Sequence, residues 1–110
     1  MKVGLLALAL LTSAAACAAA QANPHDAKAH IERGIALHDK GDLGGAIAEW
    51  REAIRLKPDY AEAHYNLGVA LGQKGDFDGA ITEFREAIRL NPDDALAHSN
   101  LGRALEAKGE

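Results

Sequence analysis

A single cysteine, Cys17, is the chain's whole supply of thiol, so no internal disulfide can form and no cysteine cluster can hold a metal. Clusters of basic residues are missing too. Setting aside residues 1–22 removes one of the 12 basic residues and none of the 16 acidic ones, leaving 11 − 16 = −5. That balance argues against nonspecific binding to nucleic acid or to anionic lipid. Catalytic patterns are absent as well. There is no phosphate loop, no paired carboxylate in a cleft, and no serine or cysteine set against a histidine as nucleophile and base. Ser99 follows His98 but falls on a different face of the same helix. The chain therefore reads as a non-enzyme without cofactor, and its 110 residues hold one small domain at most.

The first fifth is unlike domain sequence. After Met1-Lys2 an apolar run extends from Val3 to Ala20 with no charge inside it and only Thr12 and Ser13 as hydroxyl residues. One positive charge, a Leu-rich centre and small residues behind it are the parts of a bacterial-type secretory signal, which predicts an exported protein, periplasmic or secreted. Three readings of its end stay open. Ala20-Gln21-Ala22 fits a signal peptidase site that releases a domain spanning residues 23–110. Ala14-Ala15-Ala16-Cys17 resembles a lipobox, with Ala14 where Leu is usual, and lipid on Cys17 would hold the domain at a membrane. An uncleaved anchor is the third, since the 18 residues of the run approach the roughly 20 needed to span a bilayer.

Beyond the leader the chain is periodic. A shift of 34 residues lays Pro24 on Pro58 and Pro92, Gly34 on Gly68 and Gly102, and Trp50 on Phe84, and residues 27–60 match 61–94 at 21 of 34 positions. A period of this length marks a supersecondary unit that buries its apolar face against its neighbours. Within the second unit Ala63, Leu67, Ala70 and Leu71 recur at helical spacing, and so do Ala80, Ile81, Phe84, Ala87 and Ile88. The breaks Lys40-Gly41-Asp42 and Lys74-Gly75-Asp76 end the first helix of a unit on a glycine able to take positive φ. Lys57-Pro58-Asp59 and Asn91-Pro92-Asp93 end the second, with Asp59 and Asp93 expected to cap the next helix and Glu62 completing a capping box with Asp59. Small residues, Gly34, Gly68, Ala46, Ala80, Ala53 and Ala87, stand where paired helices must approach closely, and Trp50 and Phe84 fill the gaps between them.

Leu67-Gly68, Ala80, Phe84 and Pro92 together resemble the tetratricopeptide repeat signature, and Gly34, Ala46, Trp50, Ala53 and Pro58 repeat it, with Arg33 in place of the leucine. The resemblance covers residues 24–110. It implies an all-α superhelix of two full helix-turn-helix repeats, 27–60 and 61–94, and a terminal helix in a partial repeat, 95–110, preceded by the signal. It also implies a protein or peptide partner held on the inner surface, which the first helix of each repeat lines. Carried over position by position, the groove candidates are Lys28, Glu32, Ile35 and Asp39 in the first unit and Tyr65, Asn66, Val69 and Gln73 in the second. In the third they are Ser99, Asn100, Arg103 and Glu106. Asn66 and Asn100 stand out, because an amide both donates and accepts and two of them on successive helices can grip a peptide backbone without reading its sequence. The same asparagines also read as plain surface residues of the repeat. A clamp for a peptide carboxylate is disfavoured, since Glu32 and Glu106 flank them and only Lys28 and Arg103 are basic. Tyr65, Ile35 and Val69 suit a segment with apolar and a few polar groups.

His30, His64 and His98 fall one unit apart, which repetition alone produces, and about 10 Å between neighbouring helices is too far for shared zinc ligation. Each stands where the family usually has a large aromatic. His25 and His38 have no evident partner. The competing reading of the whole chain is a self-associating structural module, because the last helix has no second helix to cover Leu101, Ala104 and Leu105; that stripe predicts self-association, a partner, or a chain cut short of its natural end.

Overall fold

The computed structural model describes residues 24–109. The leader at 1–22, its alternative cut sites and Cys17 lie outside the described residues. Those described form five α-helices and no strand: α1 (Pro24–Asp39), α2 (Leu43–Leu56), α3 (Ala61–Gln73), α4 (Phe77–Leu90) and α5 (Ala95–Lys108). Each packs on the next, and α5 also touches α3. This is the expected stack of two helix pairs and one terminal helix. No described helix is long and apolar enough to cross a membrane.

The Lys-Gly-Asp breaks perform two tasks at once. Gly41 and Gly75 take φ of 86° and 90°, which lets Asp42 and Asp76 donate their backbone N–H to Leu37 and Leu71 carbonyls at 2.9 Å and close the helix end. The same aspartates then cap the following helix: Asp42 Oδ1 accepts from Gly45 N and Asp76 Oδ1 from Gly79 N, both at 2.9 Å. One tripeptide ends a helix and begins another.

At the Pro-Asp breaks the caps differ from the expectation by one residue. Tyr60 N donates to Lys57 O and Asp94 N to Asn91 O, each at 3.2 Å, so Pro58-Asp59 and Pro92-Asp93 are the interior of a tight turn. The cap is therefore the next residue. Asp94 caps α5 by accepting from Leu96 and Ala97 N, whereas its counterpart Tyr60 offers α3 no side-chain cap, and the Asp59–Glu62 capping box does not form. Tyr60 instead lies under the Lys57 ammonium, 4.6 Å from the ring centre.

The core runs along the seam between paired helices. Trp50 and Phe84 are 2 % and 3 % exposed, and each ring lies flat against a glycine of the partner helix. A Cβ added to Gly34 would sit 2.3 Å from Trp50 Nε1, and one added to Gly68 would sit 2.8 Å from Phe84 Cε1. The indole is further tied by Nε1 donating to Ile31 O at 3.1 Å. Gly102, the third of the series, has nothing within 4 Å. The stripe expected to be bare on α5 is largely covered by α4: Ala104 is buried, Leu101 and Leu105 are half-buried, and the bare residue is Leu96, 65 % exposed.

One substitution at three equivalent positions should therefore give opposite signs. Gly34→Ala and Gly68→Ala are expected to destabilise by about 1–3 kcal/mol, Gly34 more because the indole hydrogen bond breaks too. Gly102→Ala should stabilise by about 0.5–1 kcal/mol through helix propensity alone. Urea unfolding of the three variants measures the series, and equal effects would refute the ring-on-glycine packing.

Candidate functional site

Two sets of polar side chains emerge from this stack, one inside each helix pair and one across the wall formed by α1, α3 and α5. Within the pairs the histidines are tied to carboxylates. His30 Nδ1 meets Glu49 Oε1 at 2.6 Å, and His64 Nδ1 meets Glu83 Oε1 at 2.7 Å. Arg33, standing where the repeat pattern has leucine, adds an Nε contact to Glu49 at 3.4 Å. His64 Nε2 in turn reaches Pro58 O at 2.8 Å, so both ring nitrogens face acceptors. A neutral imidazole carries only one N–H, so this setting favours the cation. Hydrogen bonding to Glu83, with a smaller part from the Pro58 carbonyl, raises the pKa of His64 against the opposing effect of burial. Sequence reasoning missed these pairs, although a His-to-Glu step of 19 residues occurs in both units. Among the described residues no group of three or more ligands could hold a metal. On the outer face Glu52 pairs with Arg55 and Glu86 with Arg89, and the hydrogen bond to each arginine holds the carboxyl below its usual range.

Across the wall the helices of neighbouring units are joined by side chains 35 residues apart. His38 Nε2 meets Gln73 Oε1 at 2.7 Å, and Asn100 Nδ2 donates to Tyr65 Oη at 3.0 Å. His38, without evident partner in the sequence, also packs its ring 5.9 Å from that of Trp50. The two junctions are not alike. One step of 35 back from Asn66 is Ile31, which has no polar atom to offer, and the half-buried Asn66 amide bonds to no described residue. One unit on from His38 and Gln73 stand Gly72 and Ala107, too small to bridge. A cavity of about 370 Å³ opens there, with Phe77 and Phe84 as floor, Val69, Ala104 and Ala107 as apolar walls, and Gln73, Asn100 and Arg103 as polar lining.

Of the groove candidates, Val69, Gln73, Asn100 and Arg103 thus converge on one cavity, and Tyr65 stands beside it through its bond to Asn100. Lys28, Glu32 and Ile35 are exposed on α1 and do not line it, and neither does the half-buried Asn66. Asn100 is partly spent, since Arg103 Nη1 also approaches its Oδ1 at 3.5 Å. Phe77, Phe84, Gly72 and Ala107 were not singled out as lining. The pairing of small Gly72 and Ala107 opposite large His38 and Gln73 was the signal that could have found them.

The family model described as TPR repeat matches residues 34–75 and 71–109. Among curated proteins none matches. Of solved structures, MamA superposes with a TM-score of 0.75 at 31% identity, over 78% of this chain and 47% of its own. A mutant O-GlcNAc transferase of Thermobaculum terrenum gives 0.74 at 30% identity over 77% of this chain and 16% of its own. The first TPR of Spaghetti (RPAP3), bound to an HSP90 peptide, gives 0.74 at 22% identity over 78% and 70%. The chain spans about half the length of the MamA structure and about a sixth of the transferase.

The His64–Glu83 pair makes stability depend on pH in a defined direction. A folded-state pKa above the ordinary 6.5 means that the pair's stabilisation is complete below that pH and fades as pH rises through the raised value. The melting temperature of the unaltered chain should exceed that of Glu83→Gln most near pH 6, and the gap should narrow toward pH 8.5. A gap that does not change with pH would refute the charged pairing.

Proposed function

The chain belongs to the tetratricopeptide repeat family, and from that premise we propose that it is an adaptor, not an enzyme, holding an extended polypeptide segment against the wall of α1, α3 and α5. The observation that carries this is the cavity between α3 and α5, where Phe77 and Phe84 suit an apolar side chain and Gln73, Asn100 and Arg103 supply polar groups for the backbone of the same segment. Support comes from the fold itself, which holds a peptide in the Spaghetti structure. The mixed charge of the wall, with Glu32 and Glu106 beside Lys28 and Arg103, favours a segment with apolar and a few polar groups over a highly charged one.

The apolar run from Val3 to Ala20 supports a place in a bacterial envelope, by release at Asn23 or by lipid on Cys17. Intact mass of the chain from fractionated cells tests this: a cytosolic chain still carrying Met1 would overturn export. A second reading, self-association without a peptide ligand, draws on the exposure of Leu96, 65 % on α5. Sedimentation velocity separates the two, since a clean monomer at high concentration removes it.

For the groove, a photoreactive residue at Val69 of the full chain, expressed in its own host, should capture a polypeptide. Ala107→Leu, which fills the cavity from an exposed position, and Asn66→Ala with Arg103→Ala should each lower capture by about tenfold or more. Unchanged yield in both variants would sink the groove reading.

A further inference from the structure

The two junctions of the inner wall are built from equivalent positions, yet one is filled and the other is open. Where α1 meets α3, the His38 ring packs 5.9 Å from that of Trp50 at an interplanar angle of 41°, and its Nε2 meets Gln73 Oε1 at 2.7 Å. Ring and amide together close that junction. One unit on, the positions of His38, Gln73, Leu43 and Val69 are held by Gly72, Ala107, Phe77 and Arg103. The bridging ring is thus gone, while a second aromatic, Phe77, joins Phe84 beneath the space it leaves. The filled junction is closed by residues of α1, α2 and α3, the equivalents of the α3, α4 and α5 that surround the cavity, so every helix such a closure needs is present at both. Helix packing does not demand the glycine either. A Cβ added to Gly72 would come no nearer than 3.8 Å, to Ala80 Cβ, and its φ is not positive, so a residue that weakens a helix stands there without a structural reason.

We propose that the cavity between α3 and α5 is a receptor for one aromatic side chain of the bound polypeptide, seated on Phe77 and Phe84 as His38 is seated on Trp50 in the first junction. This rests on the reading of the wall as a polypeptide groove and narrows its occupant from an apolar side chain to a planar ring. Three features select the ring. A volume of about 370 Å³ admits it whole. Aromatic pairs gain from tilted or offset contact beyond the area they bury, and Phe84 already holds Tyr65 in such a pair, with centroids 5.9 Å apart at 54°. The rim, finally, is rich in donors. Gln73 Oε1 is taken by His38, which leaves its amide N–H groups, and among the described residues the Arg103 guanidinium meets Asn100 Oδ1 alone, at 3.5 Å. The negative face of a ring complements this unpaired cation and these N–H groups, whereas a branched aliphatic side chain offers them nothing.

The probe is p-cresol, the side chain of tyrosine, titrated into the isotopically labelled full chain and followed by backbone amide chemical shifts, with 3-methyl-1-butanol as the branched aliphatic alcohol for comparison. Saturable shifts at Val69, Gly72, Phe77 and Ala104 are expected, with cresol half-saturating at about 1 mM and binding about fivefold tighter than the aliphatic alcohol. Gly72→His combined with Ala107→Gln transplants the ring and amide of the first junction into the second. It should abolish the cresol shifts and raise the melting temperature by about 4 °C. Arg103→Ala, at an exposed position, should weaken cresol about threefold and decides the matter if the double variant does not fold. Equal affinity for the two alcohols would overturn the proposal, as would cresol binding that survives in a folded double variant, shifts centred on Leu101 or Gly102, or no saturation up to about 20 mM. Photocapture at Val69 that persists without cresol binding would remove the ring and leave the groove, whereas cresol binding without capture would remove the groove and leave the ring site.

Discussion

The contact on which the rest depends is a flat aromatic ring lying on a bare glycine. A helix pair can close to the distance at which Ala46, Ala53, Ala80 and Ala87 are buried only if the ring opposite meets no Cβ, and at Gly34 and Gly68 it meets none. Because the same contact recurs one period on, the second pair repeats the first, and a small apolar content per unit becomes one continuous core. In each complete pair the histidine of the first helix then meets a carboxylate next to that ring, so packing and polar pairing set the same register between the two helices.

Against the regular stacking, the inner wall carries one irregularity. Were the two junctions identical, His38–Gln73 would have a counterpart one unit on and the wall would be closed along its length. Replacement of both partners by Gly72 and Ala107 leaves a cavity floored by Phe77 and Phe84, and the Tyr65–Asn100 bond holds its rim. The repeat supplies a scaffold, and the departures from the repeat shape the cavity. The far end departs in another manner, since α5 keeps the residues of a first helix without the second helix that answers them among the described residues.

Much of this was legible in the linear pattern. Helical spacing, the 34-residue period and the Gly and Pro punctuation gave five helices in the right places, because those signals are local: they depend on which φ values glycine reaches and on which turn of a helix a side chain falls. Local signals also misled by one residue at Asp59 and Asp93, where the turn after proline, closed by Tyr60 N and Asp94 N, moved the cap forward. The ring-on-glycine packing was readable too, since size must alternate across a close seam.

Sequence by itself therefore determined the helices, their pairing and the face each one buries, because those depend on periodicity and on residue size. Tertiary structure alone decided which polar groups meet. That His64 finds both Glu83 and Pro58 depends on how the two helices of a pair cross, and that Asn100 is held by Tyr65 while Asn66 remains free, and that a cavity forms between α3 and α5, depend on the rotation and rise between successive units. These bring residues 19 or 35 positions apart within hydrogen-bond reach, a relation in space that no local preference of the chain encodes.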